Sequence, residues 1–128
     1  MGRRTGPTPE TVALVMARQE GRCVCCGHML TGQRGWDWGL HHRRGRDGRP
    51  DSHQPQNLIA VHGADNVTSC HGFVHSHRRA AEDFGWWLSR TAGVDPLLVP
   101  VHVVGAVPHR VYLTADGGVA DVPPDVAA

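Results

Sequence analysis

The sequence predicts a small α+β fold, and three observations lead to this prediction. An amphipathic segment that follows a helix-capping threonine lies near the N-terminus. Two short apolar runs separated by a polar loop come next, and a second helical pattern follows them. Near the C-terminus, an Asp-Gly-Gly sequence between two apolar runs is typical of a β-hairpin. With 128 residues, the chain has the length of one domain with a modest hydrophobic core.

The predicted elements begin with the N-terminal helix. Thr8 is its expected N-cap and Pro9 its first residue, and the helix is expected to end at Gly21. The two strand candidates are QRGWDWGLHH and NLIAV, separated by a loop rich in glycine, proline and arginine. One continuous helix is expected over CHGFVHSHRRAAEDFGWWLS, because large apolar residues recur there at steps of three and four. Residues 91–128 are expected to form a β-rich extension.

Charge is unevenly distributed along the chain. The formal net charge is +1, and all 13 basic residues are arginines. Residues 1–90 hold 12 arginines and 8 acidic residues, a balance of +4, whereas residues 91–128 hold one arginine and 4 acidic residues, a balance of −3. A polyanionic partner is therefore expected to bind the first 90 residues. No stretch has the length and apolar character of a signal peptide or membrane span, so we expect a cytoplasmic protein without membrane contact.

The cysteines indicate a structural zinc site. Four cysteines could form two disulfides, but in a reducing compartment their clustering favours a metal. Cys23 and Cys26 have the Cys-x-x-Cys-Gly spacing that is typical of half a zinc knuckle. Cys25, between them, is expected to pack as a small apolar residue.

The histidines indicate a second metal site. His41 and His42 run directly into arginines, whose positive charge disfavours protonated imidazoles, so both rings should be neutral and able to accept a proton or bind a metal. His71 and His75 are four residues apart and share one helix face. With His41 they would provide three ligands and leave room for water and substrate. Because consecutive strand residues point to opposite faces, the first strand must end or bulge at the histidine pair.

Taken in order, the motifs LHHRR, NLIAV and SCHGFVH resemble those of HNH endonucleases, particularly the small enzymes of actinobacterial phages and prophages. The resemblance covers residues 22–87 of a single predicted domain, 1–128. It implies a ββα-metal core, preceded here by the N-terminal helix and followed by the β-rich extension. It also implies DNA cleavage, by nicking or double-strand breakage, in the cytoplasm of a bacterial host.

The resemblance also assigns roles to individual residues. His42 would be the general base, and His41, His71 and His75 would bind one catalytic ion, which could be Mg, Mn, Ni or Zn. Asn57 would orient His42; because the family's second motif element is also described as a metal ligand, Asn57 has two candidate roles. This chemistry suits phosphodiester hydrolysis, which needs an activated water and a positive charge at the phosphate.

The resemblance completes the zinc site as well. Relatives carry a second cysteine pair around the loop before the catalytic helix. Cys70 matches its later member, and His62 falls near the position of the earlier one. We therefore expect a Cys₃His structural zinc site formed by Cys23, Cys26, His62 and Cys70.

Arginines next to these motifs are the expected DNA contacts. They lie in the loop between the strands and after the helical ligands: Arg43, Arg44, Arg46, Arg49, Arg78 and Arg79. Phosphate contacts position a duplex without reading its sequence, so weak sequence specificity is expected. Similar phage proteins act beside the terminase during DNA packaging, which makes terminase a candidate partner by resemblance.

The main alternative is a zinc-stabilised nucleic-acid-binding module without catalysis. A C₂H₂ finger is excluded, since it needs about twelve residues between its ligand pairs and this chain has 44 between Cys26 and His71. A zinc deaminase is also excluded, because the sequence contains neither His-x-Glu nor Pro-Cys-x-x-Cys.

Overall fold

The computed structural model describes residues 6–65 and 67–124, which form a small mixed α+β fold. The described segments contain two antiparallel sheets, one of two strands and one of three. In chain order, the elements are α1 (Pro9–Arg18), β1 (Trp38–His42), β2 (Leu58–His62), α2 (Ser69–Ser76), α3 (Arg78–Asp83), β3 (Val101–Val103), β4 (His109–Leu113) and β5 (Val119–Ala120).

Helix α1 begins as predicted and packs on β2. The Thr8 side chain accepts a hydrogen bond from the Thr11 N–H at 3.2 Å, which satisfies one backbone donor of the first turn. Just after the helix, the Gln19 side chain makes hydrogen bonds with both backbone groups of Ala60, at 2.9 and 2.8 Å. Gln19 therefore covers the free edge of β2, which would otherwise carry unpaired polar groups.

Strands β1 and β2 form a two-stranded antiparallel sheet, with Trp38 opposite His62 and His42 opposite Leu58. Residues 58–61 of β2 are completely buried and form the centre of the core. Strand β1 is shorter than the predicted segment because residues 31–37 are exposed and irregular. The prediction that this strand stops at the histidine pair is confirmed, since β1 ends at His42.

The prediction of one continuous helix is wrong. The segment forms two helices that break at His77, where φ is −123° and ψ is 58°. Just before the break, the Ser76 hydroxyl donates to the Gly72 carbonyl at 2.9 Å, a bond that commonly bends helices. The second helix ends before Gly85, which has φ +76°; a Cβ there would lie 2.0 Å from the Pro100 carbonyl oxygen. Close packing against the C-terminal segment therefore stops the helix.

The C-terminal segment shares the core of the rest of the chain. Strands β3, β4 and β5 form the second sheet, and a turn containing Gly117 (φ +89°) joins β4 to β5 at the predicted hairpin. Val101, Val111 and Leu113 are buried in the same cluster as Val15 of α1. Among the described residues, no helix combines the length and apolar character needed to cross a bilayer.

Candidate functional site

The first candidate metal centre, the Cys₃His cluster, consists of Cys23, Cys26, His62 and Cys70. Its four potential ligand atoms all lie within 4.8 Å of one another. Ligand atoms around a tetrahedral zinc ion lie about 3.5–4 Å apart, because the Zn–S and Zn–N bonds are about 2.3 and 2.0 Å long. The four side chains are therefore close enough to hold a zinc ion.

Backbone and carboxylate contacts orient the ligands of this cluster. The His62 N–H donates to Cys23 Sγ at 3.3 Å, and His62 Nδ1 lies 3.1 Å from Cys26 Sγ. The other ring nitrogen, Nε2, lies 3.5 Å from Asp37 Oδ2. A carboxylate on the outer nitrogen of a metal-binding histidine fixes the ring and its tautomer. Asp37, which carries no sequence motif, is therefore a further member of this site.

Hydrogen bonds among the thiols shift the pKa values of Cys23 and Cys70 in opposite directions. Hydrogen bonds with Cys25 and Cys70 hold the pKa of Cys23 well below its usual range. The hydrogen bond with Cys23 raises the pKa of Cys70 to about 12. Cys25 lies beside these thiols and packs against the core, outside the four-ligand cluster.

The second candidate metal centre, the His₃ cluster, consists of His41, His71 and His75. Its ligand nitrogens also lie within 4.8 Å of one another, and the ring centroids are 5.2–5.5 Å apart. His41 comes from β1, and the other two come from successive turns of α2. The three imidazoles are close enough to hold one metal ion, with fewer protein ligands than the first cluster.

The chemistry of the His₃ cluster fits a metal. A carbonyl only accepts hydrogen bonds, so His41 Nε2 is the donor to the Trp86 carbonyl (2.8 Å) and Nδ1 keeps its lone pair. The backbone of Gly63 hydrogen-bonds the His71 ring, which leaves the other ring nitrogen of His71 for a metal. Burial lowers the pKa of His41 to about 3 and also lowers those of His71 and His75, which keeps the rings neutral. Neutral imidazoles suit nickel or zinc better than magnesium.

His42 lines the same cleft as the His₃ cluster. Its pKa is lowered to about 4, first by burial and then by the positive charge of Arg46. The low pKa agrees with the predicted neutral form of His42, although burial lowers this pKa more than the arginines do. Its Nε2 lies 2.9 Å from Nδ1 of His53. Sequence reasoning missed His53, because this residue lies in a polar loop without any motif.

Asn57 acts on the loop rather than directly on His42. Its side-chain oxygen accepts from the Arg44 N–H (2.9 Å), and its amide nitrogen donates to the Ser52 carbonyl (2.9 Å). Asn57 is completely buried and is not a lining residue of the cleft. Within the described chain, the side chain of Asn57 is hydrogen-bonded to the backbone of Arg44 and Ser52 rather than to His42. Its burial away from the cleft argues against the alternative role as a metal ligand. The residue fixes the two ends of the loop that carries His53.

The expectation that Arg43 contacts DNA is corrected by its burial. Arg43 has 0% exposure, and its guanidinium donates to four backbone carbonyls, those of Gly85, Gln56, Pro96 and Val99, at 2.7–3.1 Å. An arginine in this position satisfies carbonyls that would otherwise be unpaired in the interior. Arg43 therefore joins the loop, the segment after α3 and the C-terminal segment.

Arg44 is corrected for a related reason. It is 3% exposed, and its guanidinium forms salt bridges with Asp47 and Asp51. Hydrogen bonding to Asp51 raises the pKa of Arg44. Its charge is therefore balanced inside the loop and stabilises the loop rather than a phosphate.

The other predicted arginines differ in position. Arg46 and Arg78 are exposed and line the cleft, and the Arg78 guanidinium lies 4.6 Å from the centroid of the Trp87 ring. Arg49 and Arg79 are exposed but lie outside the cleft lining. Arg49 instead approaches Asp47 at 3.7 Å. Two of the six predicted arginines therefore remain as candidate phosphate contacts at the cleft.

Two arginines that sequence reasoning missed also line the cleft. Arg34 precedes β1 and Arg90 follows α3. The cleft has a volume of about 690 Å³, and its described lining residues include four histidines and five arginines, one of which is the salt-bridged Arg44, but neither aspartate nor glutamate. No local pattern distinguishes Arg34 or Arg90, because only the fold brings these distant segments together. The result is a positively charged cleft around the His₃ cluster.

Comparisons with protein-family models, curated proteins and solved structures found no match to this chain.

Proposed function

We propose that this protein is a metal-dependent DNA endonuclease of the HNH type. The observation that carries the proposal is the convergence of the His₃ cluster and His42 in one arginine-lined cleft. The order of strand, strand and helix around that cleft agrees with the ββα arrangement that the resemblance implies. A negatively charged phosphodiester is the ligand class that such a lining favours.

In this proposal, His42 is the general base. It accepts a proton from water while the water oxygen bonds to phosphorus. The bond between phosphorus and the 3′ oxygen then breaks, which leaves a 5′-phosphate. The 3′ oxygen takes a proton from solvent. A neutral ring is required for the first step, and burial of His42 keeps it neutral. His41, His71 and His75 would hold a divalent ion, which would supply positive charge near the phosphate.

The cleft arginines hold the substrate in the proposed enzyme. Arg34, Arg46, Arg78 and Arg90 lie around the histidines and contact phosphates on either side of the reacting one. Guanidinium groups bind phosphates through paired N–H donors. Contacts of this kind position DNA without reading bases, which implies weak sequence specificity.

The Cys₃His cluster has a structural role in the proposal. A zinc ion held by Cys23, Cys26, His62 and Cys70 would join the turn after α1 to the end of β2 and the start of α2. Cys70 is adjacent to His71 in the chain, so the zinc site fixes the helix that carries two of the His₃ ligands.

Plasmid cleavage tests this function. Supercoiled DNA is incubated with purified protein and Mg²⁺, Mn²⁺, Ni²⁺ or Zn²⁺, and nicked and linear products are measured. We expect metal-dependent cleavage that falls by about 10²–10⁴-fold in the His42→Ala variant, because general-base catalysis typically contributes this much. His109→Ala is the matched control, since His109 is an exposed histidine on β4 outside the cleft.

Two results would count against the nuclease. Full activity of a folded His42→Ala protein would remove the assigned base. DNA binding without cleavage by the wild-type protein in every metal would instead favour the non-catalytic binding module.

A further inference from the structure

We infer that His53 is a positioning residue that holds the His42 ring with Nδ1 available to the attacking water; this inference rests on the proposed nuclease function. The contact that carries it joins His42 Nε2 to His53 Nδ1 at 2.9 Å, with the two ring centroids 5.0 Å apart and the rings nearly perpendicular. Since His53 occupies Nε2, Nδ1 is the ring nitrogen of His42 that remains for a proton.

The direction of this hydrogen bond follows from the task of His42. A base needs a lone pair on the nitrogen that faces water, so His42 must carry its proton on Nε2 and donate it to His53 Nδ1. His53 then has its own proton on Nε2. When His42 accepts a proton on Nδ1, the ring becomes positively charged and its Nε2–H bond to His53 strengthens. His53 therefore stabilises the transition state without taking up a proton.

Hydrogen bonds and a salt bridge connect the loop around His53 to the end of β1. The preceding residue, Ser52, is 4% exposed, and its carbonyl accepts the side-chain amide of Asn57 at 2.9 Å. The Ser52 N–H donates to the Arg49 carbonyl at 3.0 Å. Asp51, one residue further back, forms a salt bridge with Arg44, which lies two residues after the end of β1. These bonds join the segment that carries His53 to the segment that carries His42.

This arrangement also explains why Asn57 is completely buried. Its side chain contacts the backbone of Arg44, two residues after His42, and the backbone of Ser52, one residue before His53. The side-chain amide of Asn57 therefore helps to position both His42 and His53. Asn57 orients His42 through His53 and the loop.

The test compares two substitutions of His53 that are similar in size. In His53→Asn, a polar side-chain atom lies close to the former Nδ1 and can still pair with His42 Nε2; in His53→Leu, this pairing is lost. We expect His53→Leu to lower kcat about ten- to a hundredfold, as expected for a hydrogen bond to a charged group, with unchanged KM for DNA. His53→Asn should recover at least part of kcat. Thermal unfolding and zinc content should match the wild type in both variants.

Two kinetic results would overturn the inference. Unchanged kcat in His53→Leu would show that His42 does not need this partner. Equal loss in His53→Asn and His53→Leu would show that the hydrogen bond is not what matters.

A second measurement separates this inference from the nuclease proposal. Long-range ¹H–¹⁵N NMR spectra report which ring nitrogen of His42 is protonated. We expect protonation at Nε2 in the wild type and in His53→Asn, and a mixture of the two tautomers in His53→Leu. If the wild type cleaves no DNA, the nuclease proposal fails, but the NMR spectra still test whether His53 sets the tautomer of His42. An unchanged His42 tautomer in His53→Leu would overturn the inference about His53.

Discussion

The Cys₃His cluster and the His₃ cluster are supported by the same sheet and helix but have different surroundings. Both use the β1–β2 sheet and helix α2, and Cys70 and His71 are neighbours in the chain. The Cys₃His cluster offers four ligands, which fill a tetrahedral zinc ion. The His₃ cluster offers three and opens into an arginine-lined cleft, beside His42. In the proposed enzyme, ligand number and access to the cleft, rather than the supporting elements, would separate a structural site from a reactive one.

Loss of a thiolate ligand is the strongest way to test this difference. We expect Cys26→Ser to lose zinc and its cooperative thermal unfolding, because structural zinc contributes about 10 kcal/mol or more in small sites, as much as a whole domain's stability. Metal content and thermal unfolding measure this. Cys25→Ser is the matched control and should keep zinc. Zinc loss in Cys25→Ser together with retention in His62→Ala would replace His62 with Cys25 as the fourth ligand.

Loss of an imidazole ligand should reduce metal binding and DNA cleavage but leave the fold intact. We expect His75→Ala to weaken Ni²⁺ or Mn²⁺ binding and to lower DNA cleavage by at least about 100-fold, since one of three ligands is removed. Zinc content and the melting temperature should remain near wild type. Calorimetric metal titration and plasmid cleavage are the measurements. His77→Ala, which changes an exposed histidine outside the cluster, serves as the control. Unfolding of His75→Ala would erase the distinction between the two clusters.

Loss of the carboxylate behind His62 should have the smallest effect. Asp37→Asn keeps a hydrogen-bond acceptor 3.5 Å from His62 Nε2 but removes its charge. We expect zinc affinity to fall by about tenfold, in the range measured for such outer partners, with an unchanged fold. Competition with a chromophoric chelator measures the affinity, and Asp121→Asn changes an exposed carboxylate elsewhere. Equal affinities in the two variants would remove Asp37 from the site.

The arginines show most clearly which features the local sequence does not predict. Arg43, Arg44 and Arg46 come from one short run, yet Arg43 satisfies interior carbonyls, Arg44 pairs with two aspartates, and Arg46 lines the cleft. The run has no periodicity from which burial could be read, because β1 ends just before it. Arg43 and Arg44 are buried, and each donates to carbonyls more than 40 positions away that lie against the loop.

The helix after the second strand shows a similar limit. Its apolar period continues through the aromatic residues 84, 86 and 87, which still pack on the core although they lie outside the helix. Periodicity reports which side chains are buried, and both a helix and a folded-back segment can bury them. The break at His77 comes directly after a local hydrogen bond of the Ser76 hydroxyl, and the stop before Gly85 depends on close contact with the C-terminal segment.

The sequence by itself determined the capped first helix, the end of β1 at the histidine pair, and the ligand types of both clusters. These features depend on local spacing and on the chemistry of single side chains, which a chain carries before it folds. Tertiary structure alone decided which arginines line the cleft, that Asn57 acts on the loop, and that His53 pairs with His42. Those relations join residues from distant segments, and only the packing of the loop and the C-terminal segment around one core brings them within hydrogen-bond distance.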